Sequence, residues 1–136
     1  MGLHLDPEVG MAQVRRTLTA AIAVGCFLFT LPVAAHHGWS NYGSEEFSLT
    51  GTLDTPVSLS GPHATMKIKD TKGQVWNIVL SAGNRVTSAG LKEGMIPLGA
   101  QVTAEGHRHR DSKTFEVKTE RVKWNGRTFN VYPDRT

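Results

Sequence analysis

Three histidines, His36, His37 and His63, are the residues of this chain whose types and placement best suit a definite chemistry. The segment before His36 is composed like a cleavable export leader, and a cut after Ala35 makes His36 the first residue of the mature protein. An N-terminal histidine offers one metal ion two nitrogens, the α-amine and the imidazole Nδ1. The α-amine titrates at about 7.7–8.0 in model peptides, so a metal displaces its proton at little cost near neutrality. Copper(II) gains most from nitrogen donors in a tetragonal array and heads the divalent affinity series, with nickel and zinc after it. His37, or His63 brought in by folding, is the expected further ligand. A cut one residue earlier leaves Ala35-His36-His37, whose third-position histidine is also a pattern that chelates copper and nickel. The bland alternative is a solvated arm at His36-His37 and a turn hydrogen bond at His63.

The leader is read from composition. Arg15 and Arg16 form a basic start, Leu18 to Leu31 an apolar stretch, and Val33-Ala34-Ala35 the small residues of a cleavage site. That stretch is short for a membrane span and Pro32 breaks it, so no membrane insertion is expected after processing. Asp6 and Glu8 suit a leader poorly, which makes Met11 a plausible true start. The one cysteine, Cys26, lies inside the leader, so the mature chain can form no internal disulfide and has no thiolate to offer. The expected organisation is a signal peptide over 1–35, a polar arm over 36–46 and one small β-domain over 47–136. The expected location is the periplasm or the exterior.

Positioning the histidines falls to a set of short strands. Phe47, Leu49, Gly51 and Leu53 alternate with Ser48, Thr50 and Thr52, the period of a half-buried strand. Pro56 and Ser60-Gly61-Pro62 punctuate the chain before Ala64, Met66 and Ile68 repeat the alternation. Asp70 to Gly73 is a turn into a third strand carrying Trp76, Ile78 and Leu80. From Ser81 to Met95 the two-residue period is lost, and one or two helical turns fit between Gly83 and Gly90. Val102 and Ala104 mark a fourth strand, with Gly106 as a bulge or bend. Phe115 and Val117 open a fifth, whose parity changes before Val122 and Trp124, a second bulge signal. Asn125-Gly126 is a type I′ hairpin turn leading to a short sixth strand over 128–132. This predicts a mainly β fold, a small OB-like barrel of five to six strands with one short helix.

Beyond the histidines the chemistry is thin. The mature part has 13 Lys and Arg against 10 Asp and Glu, scattered along the strands, so no basic stripe for nucleic acid stands out. No Ser-His-Asp, Cys-His or phosphate-loop pattern appears, and Glu45, Glu46, Glu105 and Glu120 read as surface charges, so no enzyme activity is assigned. His107 and His109 share a strand face beside Arg108 and Arg110 and read as a solvated strand end, with a second, weak metal site as the alternative. Trp39 and Tyr42 are expected to fold onto the barrel, and Trp76 and Trp124 to join the core. The leading functional expectation is a copper-type metal-binding module. The alternative is a metal-free OB-like module that binds an envelope protein or a glycan.

His36-His37-Gly38-Trp39, Leu49-Thr50-Gly51-Thr52-Leu53, Gly61-Pro62-His63-Ala64 and Leu98 to Gly106 together resemble a family of uncharacterised secreted bacterial proteins, a domain of unknown function. Members are similar in starting with His-His and in carrying an Asn-Pro-His-Ala-like entry to the second strand. Two departures stand out here: Gly61 replaces the asparagine, and Gly43 follows Tyr42 where an aspartate is common. The resemblance implies export and compact β-structure, carries no activity, and singles out His36, His37 and His63.

Overall fold

The structure, a computed structural model, describes residues 38–135 and Gly2. The expected leader, apart from Gly2, lies outside the described residues, as do Cys26, His36 and His37. Six strands and one short helix follow the arm: β1 (Phe47–Ser58), β2 (Thr65–Lys69), β3 (Val75–Val79), α1 (Gly83–Ser88), β4 (Gln101–Arg108), β5 (Glu116–Trp124) and β6 (Arg127–Asn130). β1 pairs antiparallel with β2 and β4, β2 with β3, and β4 with β5, while β3 meets β5 in parallel. That last pairing closes a five-stranded barrel with the strand order and helix position of an OB fold; β6 is an extra strand hairpinned onto β5.

Alternation decides which residues fill the barrel. Leu49 and Leu53 of β1, Met66 and Ile68 of β2, Trp76 and Ile78 of β3, and Val102, Val117, Val122 and Phe129 from the later strands are all buried. Full burial of such a side chain contributes about 1.5–3 kcal/mol each, the main favourable term for a domain without disulfides. α1 adds Val86 to the core, and Gly90, at φ 91°, takes the left-handed conformation that ends the helix. Trp124 sits at the rim, packed against the core rather than inside it.

Two expectations change in detail. The first strand does not stop near Leu53: it runs to Ser58 through Pro56. Pro56 is tolerated because it falls where the β1–β2 ladder is irregular, between the pairs Thr55–Lys67 and Ser58–Thr65, so no ladder bond depends on its missing N–H. The sixth strand spans 127–130, slightly earlier than the sequence suggests, after a turn in which Asn125 and Gly126 both have positive φ.

The bulge signals at Gly106 and before Val122 are one feature. Glu105 pairs with Arg121 and Gly106 with Thr119, leaving Glu120 as the extra residue of β5. A side chain at 106 would overlap the Lys118 carbonyl oxygen and lie 2.8 Å from the Thr119 Cα, so only glycine lets the strands approach here. The bulge turns Glu120 outward while Val117 and Val122 stay in the core.

Candidate functional site

The outer face of β5 carries Glu116, Lys118 and Glu120, three charged residues in a row, and the segments before and after the barrel fold over it. In register across the sheet, Lys118 lies beside Val79 of β3 and His107 of β4, and Val79 beside Thr65 of β2. The arm supplies Trp39 and Tyr42; the tail supplies Tyr132 and Arg135. Lys118 and Glu120 are each only 3% exposed, far below what strand-surface lysines and glutamates usually show.

Each charge is held differently. Glu116 accepts hydrogen bonds from the Tyr42 hydroxyl and from Asn77 Nδ2, the latter at 2.8 Å. Glu120 Oε1 is shared by His107 Nε2 at 3.1 Å and Arg135 Nε at 3.0 Å. His107 Nδ1 lies 3.0 Å from the Glu45 carbonyl oxygen, so both ring nitrogens face an oxygen. Lys118 has no carboxylate at ion-pair distance among the described residues. Its Nζ is instead 5.5 Å from the Trp39 ring centre and 5.7 Å from that of Tyr132, the geometry of cation–π attraction.

Trp39 is the centre of this cover. The Arg135 guanidinium carbon sits 3.9 Å from its ring centre, and Tyr132, His107 and Tyr42 meet it edge-on at 5.1, 5.8 and 6.4 Å. Backbone bonds fix the arm alongside: Gly43 N to the Arg108 carbonyl at 2.9 Å, Arg110 N to the Asn41 carbonyl and Arg110 Nε to the Tyr42 carbonyl, both at 2.8 Å. Tyr42 and His109 form an isolated antiparallel bridge.

Burial and neighbouring charge displace several titrations here. Burial, aided by the hydrogen bond and the charge of Glu116, pushes the Tyr42 hydroxyl well above the ordinary tyrosine range. Burial raises Tyr132 too, against the pull of Arg85 and Arg135. Burial lowers the Lys118 ammonium despite the attraction of Glu116. His63 is lowered by burial first and by the Lys118 charge second. A lowered histidine presents a free ring lone pair near neutral pH, the state in which imidazole binds metals.

Of the three histidines singled out by sequence, only His63 falls among the described residues, half-buried at the entry to β2. Among the described residues no group of three or more His, Cys, Asp or Glu side chains is arranged to hold a metal ion. No helix among them is long and apolar enough to cross a membrane. Glu120 is not the surface charge its spacing suggested, because the bulge and Arg135 enclose it. His107 is not a solvated strand end, because both of its nitrogens are bonded. Trp39 and Tyr42 fold onto the barrel as expected, but against its outer face. Lys118 went unremarked in the sequence: its alternation marks it as outward-facing, and only the packing of arm and tail buries it.

Comparison with curated proteins finds no match to this chain. A protein-family model does match, over residues 26–118, which takes in Trp39, Tyr42, His63, His107, Glu116 and Lys118 but stops short of Glu120, Tyr132 and Arg135. Strands β1–β4, the start of β5 and most of the cluster on the outer face thus lie within a recognised domain, and the chain belongs to DUF6152, a family of unknown function.

Proposed function

We propose that this protein is an exported metal-binding module of copper type, processed near Ala35, with His36, His37 and His63 as its ligands. One observation carries the reading. Trp39, three residues after His36 in sequence, packs beside Lys118, and Lys118 lies beside Val79, itself beside Thr65, two residues after His63. His36 and His37 themselves lie outside the described residues. A sequence neighbour of the first pair and the start of β2, where His63 stands, thus share one stretch of barrel surface, which supports joining the two parts in one site. His63 contributes a neutral imidazole there, and a free α-amine at His36 would supply the chelate's second nitrogen. The Lys118 charge opposes a cation nearby, and Glu116, on the same face of β5, attracts one.

Mass spectrometry of the exported, processed protein, alone and with one equivalent of copper(II), tests both halves of the reading. The expected result is a chain starting at His36 that retains one copper against a mild competitor, with His36→Ala abolishing retention and His109→Ala leaving it intact. A start elsewhere, or no retained copper, removes the reading and leaves the metal-free OB-like module that binds an envelope protein or a glycan.

A further inference from the structure

We infer that Trp39 is the anchor of a built-in strap, residues 38–46, and that Glu120 is the positioning residue that sets it. The functional consequence rests on the metal-binding reading above; the strap itself does not.

Gly106 permits the bulge, and the bulge makes Glu120 the unpaired residue of β5 and turns it outward. The Glu120 carboxylate then holds two side chains with one oxygen, His107 at 3.1 Å and Arg135 at 3.0 Å. Those two are the groups that meet the Trp39 ring at 5.8 and 3.9 Å, and His107 also reaches back to the Glu45 carbonyl at the far end of the strap. Lys118 adds a second cation at 5.5 Å from the same ring. Ordering an arm that contains two Gly, two Ser and an Asn costs about 1–2 kcal/mol per residue. The Trp39 contacts add to the backbone bonds of Asn41, Tyr42 and Gly43 in offsetting that cost before any ligand arrives. They hold Gly38 and Trp39, the residues that follow His36-His37 in sequence, on the barrel, so the strap acts by preorganisation.

Hydrogen exchange of the metal-free protein reads the strap without reference to copper. Peptides covering 38–46 should be protected in the wild type and in Trp39→Phe. They should exchange markedly faster in Trp39→Ala, the bonded amides of Tyr42 and Gly43 included, with β1–β4 peptides unchanged. Glu120→Gln, which keeps an acceptor oxygen, should retain more protection than Glu120→Ala. Protection of 38–46 that is the same in Trp39→Ala as in the wild type overturns the strap. Copper affinity reads the consequence: Trp39→Ala should weaken it at least about tenfold, since losing roughly one ordered residue's worth of preorganisation already reaches that factor, and Trp39→Phe should restore most of it. Unchanged affinity with a freed strap overturns the positioning role. A wild-type protein that binds no copper overturns the proposed function, while the exchange data still decide the strap.

Discussion

Replacing Glu120 by alanine tests whether an outward-facing residue of a bulge holds the two ends of this domain to its barrel. The carboxylate accepts one bond from His107, itself largely enclosed, and one from Arg135, whose side chain is 42% exposed. A hydrogen bond to a charged group contributes about 1.5–3 kcal/mol when enclosed. The Arg135 bond is screened by solvent and contributes about 0.2–1 kcal/mol. His107 keeps its bond to Glu45 in the variant but loses the partner of Nε2. Together these place the loss at roughly 2–4 kcal/mol, a large share of the 5–15 kcal/mol typical of a domain this size. Urea denaturation followed by far-ultraviolet circular dichroism measures it directly, with the midpoint falling and the slope unchanged. A Glu120→Ala protein within about 0.5 kcal/mol of wild type, the range of ordinary surface substitutions, would refute the enclosed-carboxylate argument.

Three further outcomes follow from the same geometry. The chain's two tyrosines, Tyr42 and Tyr132, both have raised folded values. Folding therefore holds their protons more tightly, stability is intact below the ordinary value near 10 and falls as pH rises above it, and absorbance at 295 nm should climb only together with unfolding; a clean tyrosinate midpoint near 10 in folded protein would contradict this. His63 should titrate below the ordinary histidine value by NMR, and Lys118→Met should move it upward, while an unmoved midpoint would show that Lys118 exerts no field there. Asp70 accepts from Trp76 Nε1 at 3.0 Å and from two backbone amides, which lowers its carboxyl. Its contribution is present above the ordinary aspartate value and is lost as pH falls through the folded one, so Asp70→Asn should flatten the acid limb of the stability curve; an unchanged limb would assign that limb to other carboxylates.

Strand-by-strand periodicity carried most of the fold because a small barrel has one interior, and alternation alone tells Met66 and Ile68 from Lys67 and Lys69. The Asn125-Gly126 turn and the bulge at Gly106 were equally legible, since each depends on backbone geometry that few residues permit. The extent of β1 was less legible: a proline reads as a stop unless the ladder is known to skip there.

The outer cluster lies at the other extreme. Nothing local distinguishes Lys118 or Glu120 from any outward-facing charge on a strand, because their burial comes from Trp39, some eighty residues earlier, and from Tyr132 and Arg135 in the tail. The barrel, its turns and the candidate metal histidines could be read from residue type and spacing. That the arm and the tail meet over β5 and enclose its charges could not, because it depends on which distant surfaces a closed barrel brings side by side.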